Sequence, residues 1–210
     1  MIKKSSTWIR LLWISTVLIL VSSTGCSTTV SGSASPNPKG QPTQAQLMVN
    51  LPGIGVPRVQ NPLTGFQRFE QEPCSLLISS QLKDLKVSSA GEKKMGSAGP
   101  ECDWLDLAGG PSVGIQWIES DRRGLTSFYE SKNHYEVFER LTDIEGHPVL
   151  NYGNKPTIYT DQCLLLVGVT DDLAFQASGT RTAIESQQTK LCDRAYAVAT
   201  MALQTMKGGS

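Results

Sequence analysis

Five cysteines constrain the fold of this 210-residue chain more than any other feature of its sequence. Four of them, Cys74, Cys102, Cys163 and Cys192, lie among apolar patterns that can build a core. The fifth, Cys26, lies in a run of small polar residues that cannot. An even set of cysteines beyond a secretory leader predicts disulfides, and the unpaired one needs a separate explanation.

The four core cysteines allow three pairings. We favour Cys74–Cys102 and Cys163–Cys192, because each pair is close in sequence and each bridge would join a predicted helix to a predicted strand. A bridge that closes a loop of this size stabilises the fold by ~3.5 kcal/mol in the chain-entropy model. The alternative is a metal site, but the close Cys-x-x-Cys pairs of structural zinc sites are missing from the sequence. We expect no metal and no other cofactor.

Residues 1–25 have the pattern of a secretory signal peptide. Lys3, Lys4 and Arg10 precede a short apolar run, Leu11–Val21, and small residues follow it. The run is about half of the ~20 residues that a membrane-spanning helix needs. A cleaved leader is therefore favoured over a transmembrane anchor, and we expect an exported protein.

Cys26 follows this leader directly. The segment Ser23-Thr24-Gly25-Cys26 resembles the lipobox of bacterial lipoproteins, in which the cysteine is acylated after cleavage, although Ser23 stands where an aliphatic residue is preferred. Two acyl chains hold a protein firmly on a bilayer. We predict lipidation at Cys26 and a location at the outer face of the cytoplasmic membrane or cell envelope. The alternative is a secreted protein with a spare thiol.

The chain after Cys26 divides into a tether and a domain. Residues 26–69 are rich in Ser, Thr, Gly and Pro, a composition that predicts a flexible tether with an end-to-end distance of ~35 Å. The part from Leu47 to Phe69 is more apolar, and it either continues the tether or packs on the domain. Residues 70–207 have the size of one domain.

Net charge argues against a nucleic-acid partner. The chain has 19 Lys plus Arg and 19 Asp plus Glu, so removal of a leader with three basic and no acidic residues leaves a mildly acidic protein. Nucleic-acid binding would require a basic face or stripe.

Periodicity and turn residues predict the elements of the domain. Apolar residues from Leu191 to Met206 recur at the spacing of one helix face. Val113, Ile115 and Trp117 alternate onto one face of a strand. The other predicted helices are Pro73–Leu85 and Gly124–His134, and the predicted strands are 101–107, 112–119, 136–141, 147–152, 155–160, 162–170 and 173–178. This order predicts an α+β fold with a mainly antiparallel sheet, packed by N-terminal and C-terminal helices.

Several of these segments carry a family resemblance. Pro-Cys-Ser-Leu-Leu at 73–77, Cys-x-Trp at 102–104, Gly-x-Pro at 146–148 and the cysteines Cys163 and Cys192 occur in an order that resembles actinobacterial envelope lipoproteins catalogued as a domain of unknown function. The resemblance implies a cell-envelope location and supplies no activity. Some relatives are similar to PsbP-like α/β/α sandwiches, a likeness of fold alone.

Aromatic residues are the candidate ligand-binding groups. Trp104 and Trp117 lie in predicted adjacent strands and could line a ligand pocket together with Tyr129. Tyr135 and Phe138 could belong to the same pocket wall. The alternative is that the tryptophans pack in the core.

Catalytic signals are weak. His134 and His147 are the two histidines, and no Gly-x-Ser-x-Gly elbow marks a nucleophile. Asp171 and Asp172 fit a turn between two strands.

We predict a membrane-anchored ligand- or protein-binding module that is not an enzyme, with an envelope protein, lipid or small ligand as partner. The alternative is a small envelope hydrolase that uses His134 or His147.

Overall fold

The computed structural model describes residues 50–106, 112–155, 161–180 and 189–208. Within these ranges the chain forms four α-helices, two short 3₁₀ helices and seven strands. The helical elements are α1 (Gln67–Gln71), a 3₁₀ helix (Pro73–Leu76), α2 (Ser79–Asp84), α3 (Thr126–Glu130), a second 3₁₀ helix (Lys132–His134) and α4 (Thr189–Gly208). The strands are β1 (Glu92–Met95), β2 (Pro100–Trp104), β3 (Ser112–Ile118), β4 (Val137–Arg140), β5 (Val149–Gly153), β6 (Gln162–Thr170) and β7 (Leu173–Thr180).

The strands form one sheet in the order β1-β2-β3-β7-β6-β5-β4, and every neighbouring pair is antiparallel. The predicted hairpin of 162–170 with 173–178 is present near the middle of this sheet, with Leu165 opposite Ala177. The predicted α+β class with a mainly antiparallel sheet is confirmed.

Helix α4 covers one face of the sheet, which we call the helix face. Its apolar residues are buried at the predicted spacing, from Leu191 through Ala195, Val198 and Ala202 to Met206. The short N-terminal helices extend the same core. The periodicity of the apolar residues therefore predicted both that α4 forms and which of its faces is buried against the sheet.

Both predicted disulfides are present as cysteine pairs at bonding distance. Cys74 in the first 3₁₀ helix joins Cys102 of β2, and Cys163 of β6 joins Cys192 of α4, each with Cα atoms 5.1 Å apart. Each bridge fastens a helix to the sheet, as the favoured pairing predicted. Disulfides of this kind are compatible with an exported protein.

Residues 50–66 lie on the domain, and we call them the N-terminal strap. Val59 and Phe66 are buried, and the Val59 amide donates to a carboxylate oxygen of Asp171 at 3.0 Å. The Leu63 amide donates to the Val169 carbonyl at 3.2 Å. The folded part thus begins before Glu70, because the apolar residues of the strap find partners on the sheet. Of the predicted tether, residues 26–49 lie outside the described ranges.

Two further predictions fall partly or wholly outside the description. The strand predicted over 155–160 lies almost entirely there, and so does the turn between β2 and β3. Residues 1–25 and Cys26 are also outside it. Among the helices that the structure describes, none combines the length and apolar character needed to cross a bilayer.

Candidate ligand-binding site

The sheet face opposite α4, here the second face, carries its own apolar cluster. Ile118, Leu150, Leu166 and Ala174 project from four strands and are buried there with Leu125. Helix α3 and the start of the strap cover this cluster. The second face is thus covered only in part, by helix α3 and the start of the strap, whereas a twenty-residue helix covers the helix face.

Five aromatic side chains surround this cluster: Phe128, Tyr129, Tyr135, Phe138 and Tyr152. Tyr129 meets Phe138 edge-on with ring centroids 5.0 Å apart, and Phe128 meets Tyr152 in the same way at 5.0 Å. Tyr135 contacts Phe138, Phe128 and Tyr152. Such pairs contribute ~0.5–1.5 kcal/mol each beyond area burial, so the ring contacts stabilise one aromatic wall.

The tyrosine hydroxyls of this wall stay protonated. Burial raises the pKa of the Tyr129, Tyr135 and Tyr152 phenols above their ordinary value. The Tyr152 hydroxyl donates to the side-chain carbonyl of Gln176. The wall therefore offers neutral rings and neutral hydroxyls near pH 7.

A tight turn of the strap faces this wall. The Val56 amide donates to the Gly53 carbonyl at 3.1 Å, and Gly55 has φ +79°, which is the pattern of a type II turn with Ile54 at its corner. The Gly53 amide donates to Oγ1 of buried Thr126 at 3.1 Å. A Cβ on Gly53 would come within 2.9 Å of the Thr126 methyl. Glycine at position 53 thus lets the strap approach α3 closely.

The turn, Tyr129 and Phe138 line an open cavity of about 540 Å³, the strap cavity. This volume lies within the ~300–1,000 Å³ of small-molecule sites. Val56, Tyr129 and Phe138 supply apolar surface, whereas Glu130 and Lys132 supply charge. The lining is Gly53, Ile54, Gly55, Val56, Thr126, Tyr129, Glu130, Lys132 and Phe138.

A second hollow of about 680 Å³ lies between the N-terminal helices and the end of α4. Its central polar group is Gln81, whose side-chain carbonyl accepts from the Ile78 amide at 2.9 Å and from the Thr205 hydroxyl at 3.1 Å. The Gln81 amide donates to the Met201 carbonyl at 3.0 Å. These groups hold α2 against α4, so they have a structural explanation that needs no ligand.

Of the three predicted lining residues, only Tyr129 lines the strap cavity. Trp104 and Trp117 are 1% and 0% exposed and lie in the core on the helix face. Trp117 donates its indole N–H to the Phe69 carbonyl at 2.8 Å. The prediction is corrected for both tryptophans, because alternation along β2 and β3 turns them toward the helices and away from Tyr129. Tyr135 and Phe138 do lie in the same aromatic wall as Tyr129.

The two histidines lie apart from this cavity. His134 is exposed on the second 3₁₀ helix, whereas His147 is fully buried, and its Nδ1 donates to the Gly168 carbonyl at 2.8 Å. Within the described ranges, neither ring is bonded to a serine hydroxyl or a carboxylate. The hydrolase alternative requires such a pair, and the geometry does not supply it.

Asp171 lies at the predicted turn, between β6 and β7. Its carboxylate accepts from the guanidinium of Arg58 at 2.9 Å as well as from the Val59 amide. Asp172 accepts from the Thr170 hydroxyl at 2.7 Å. The acidic pair therefore fixes the turn and the strap.

Sequence reasoning missed the strap residues of the cavity. Gly53-Ile54-Gly55-Val56 contains the signal of a turn, but its position in a proline-rich stretch concealed that it packs on the domain.

A family described as "Protein of unknown function (DUF3558)" matches residues 21–205. No curated protein and no solved structure matches the chain, so the PsbP-like architecture stays a prediction.

Proposed function

This chain belongs to the DUF3558 family of proteins of unknown function, and from that premise we propose that it is an exported, lipid-anchored module that binds a small amphipathic ligand in the cell envelope. The family's description gives no function, so the proposal depends on the residues of the leader and of the strap cavity. It treats the protein as a binding module and not as an enzyme.

The leader and the cysteines support the location. Residues 1–25 have the charge and apolar pattern of a signal peptide, and Cys26 follows at the position that an acylated cysteine takes. The other four cysteines are in two pairs at bonding distance, which is compatible with an oxidising compartment. Cys26 remains as the lipid attachment point.

The strap cavity carries the binding proposal. A ligand there would pack its apolar part against Val56, Tyr129 and Phe138 and place a polar part at Glu130 or Lys132. Burial of apolar surface contributes ~25 cal/mol per Å². The Tyr129–Phe138 contact positions the wall before binding, which limits the ordering that a ligand must impose.

The location is tested by extracting the full protein from envelope membranes in mild detergent and measuring its intact mass. We expect a mass that includes acyl chains on a chain beginning at Cys26. A soluble chain with an unmodified Cys26 would contradict the anchor. Small molecules that co-purify are identified in the same mass spectrometry experiment.

The cavity is tested with the apolar fluorescent dye ANS on the protein beginning at Cys26. We expect Tyr129→Ala to weaken dye binding about tenfold, which corresponds to ~1.4 kcal/mol. The matched control is Tyr196→Ala, because Tyr196 lies on α4 and donates to the Thr142 carbonyl at 3.2 Å, away from the cavity. Equal dye binding by the two variants would show that the dye does not occupy the strap cavity and would contradict the proposal.

A further inference from the structure

Ile54 is the most exposed large apolar side chain in the described part of the chain. It is 108% exposed, whereas Met95, Ile78 and Leu105 are 75%, 52% and 52% exposed. Water surrounds an aliphatic side chain at the corner of a turn, where a polar residue would serve the turn equally well. Transfer of this side chain into an apolar phase would remove its surface from water, which is favourable.

The turn holds Ile54 in a fixed position. Its backbone closes through the Val56–Gly53 hydrogen bond, and the Gly53 amide fastens it to Thr126. Gly55 supplies the positive φ that the turn needs. Ile54 therefore projects from a defined place beside the mouth of the strap cavity, so its exposure is built into the fold.

The Ile54 turn lies near the start of the described chain, on the side of the sequence that leads to the proposed lipid anchor. Twenty-three residues separate Cys26 from Asn50, a length of chain that spans at most ~85 Å. The Ile54 turn follows Asn50 within four residues. Lys132 and Glu130 belong to the same cavity lining and are both exposed, so this side of the domain carries charges of both signs that can meet lipid headgroups.

We propose that the Ile54 turn contacts the bilayer that holds the acylated Cys26, with Ile54 among the lipid chains and the mouth of the strap cavity at the headgroups. This inference depends on the membrane anchor of the proposed function. One aliphatic side chain is too small to hold a protein on a membrane. The anchor therefore supplies the affinity, and the Ile54 turn sets the orientation of the domain.

The test attaches a lipid chemically to Cys26, so it does not depend on acylation in the cell. The protein beginning at Cys26 carries Ile54→Trp, is coupled to a thiol-reactive lipid, and is reconstituted in phosphatidylcholine–phosphatidylglycerol vesicles with brominated acyl chains, which quench tryptophan on contact. We expect strong quenching of the introduced tryptophan. The buried Trp104 and Trp117 supply an unquenched reference.

The matched control is Met95→Trp on β1, another exposed apolar position. We expect its quenching to be several-fold weaker than that of Ile54→Trp. Equal quenching of the two variants, or none in either, would overturn the inference. Near-ultraviolet circular dichroism checks that both variants are folded. Failure of acylation in the cell would count against the proposed anchor alone, because the chemically attached lipid still reports where the turn lies.

Discussion

His147 is the residue that links the stability of the domain to pH. It is buried as a neutral ring bonded to the Gly168 carbonyl, and its Nε2 has no hydrogen-bond partner within the described residues. Burial lowers its pKa below the ordinary value of 6.5 and outweighs the raising effect of the hydrogen bond to Gly168. Nearby Lys207 lowers the pKa further, and Glu145 and Asp143 raise it more weakly. The unfolded chain therefore binds a proton that the folded chain excludes.

We expect the free energy of unfolding to fall as the pH drops below about 6.5, where the unfolded histidine begins to protonate. Urea unfolding at a series of pH values measures this slope. His147→Asn should reduce it, and the matched control is His134→Gln, which replaces the exposed histidine. If the free energy of unfolding of His147→Asn still falls with pH as steeply as that of the wild type, other groups set the pH response.

A substitution at Gly55 tests whether the strap turn needs a residue that adopts a positive φ. A Cβ at this position meets nothing within 4 Å, but the residue has φ +79°. Gly55→Ala should therefore destabilise the docked turn by ~1–2 kcal/mol through backbone strain alone. We expect weaker ANS binding in the strap cavity.

The control for this substitution is Gly208→Ala, at the last residue of α4. A Cβ there also meets nothing within 4 Å, and the φ of Gly208 is not positive. Unchanged dye binding in both variants would mean that the conformation of the turn does not shape the cavity.

At the scale of elements, the strap is held by contacts far away in sequence. The carboxylate of Asp171 accepts from both the Arg58 guanidinium and the Val59 amide. A hydrogen bond to a charged group contributes ~1.5–3 kcal/mol, while an exposed ion pair contributes ~0–1 kcal/mol. The Val59 bond is therefore the stronger of the two.

Asp171→Ala should increase the amide hydrogen exchange of residues 56–63 and destabilise the domain by ~1–3 kcal/mol. Arg58→Ala should have a smaller effect, because it removes only the exposed pair. Hydrogen exchange with mass spectrometry compares the two variants with the wild type. Equal exchange in Asp171→Ala and the wild type would show that the strap is docked by its apolar contacts alone.

Local pattern predicts some of these elements and not others. Helix α4 and strands β6 and β7 follow from periodicity, because their packing repeats along the chain. The strap has no period, and two of its partners, Asp171 and Val169, are over 100 residues away in sequence. Strand β1 has four exposed residues and no alternation, so nothing in its sequence distinguishes it from a loop.

The candidate site was predictable only in part for a related reason. Alternation placed Val113, Ile115 and Trp117 on one face but could not say which face the long helix would cover. Tyr129 and Phe138 come together through the path of the chain from α3 to β4. The strap side of the cavity depends on the docking of a segment that resembles a linker.

On the scale of the whole molecule, the two disulfides join the helices to opposite parts of the sheet. Cys74–Cys102 fastens the N-terminal helices to β2, and Cys163–Cys192 fastens α4 to β6. Their loops are of nearly equal length, with sequence separations of 28 and 29.

Removal of either bridge by paired Cys→Ala substitution should therefore lower the free energy of unfolding by a similar amount, ~3.5 kcal/mol. Thermal and urea unfolding measure both variants, with Cys26→Ala as the control that leaves the folded domain unchanged. A loss confined to one of the two pairs would show that strain or residual structure outweighs the loop-length effect.

The course of the strap determines how the domain responds to mechanical load. A pull applied at Asn50 reaches the Gly53–Thr126 bond first, and only afterwards the Arg58–Asp171 and Leu63–Val169 contacts. We expect these attachments to break in that order. The first of them holds the turn that lines the strap cavity, so we expect traction on the N-terminal side to open the cavity before it disturbs the sheet or its disulfides.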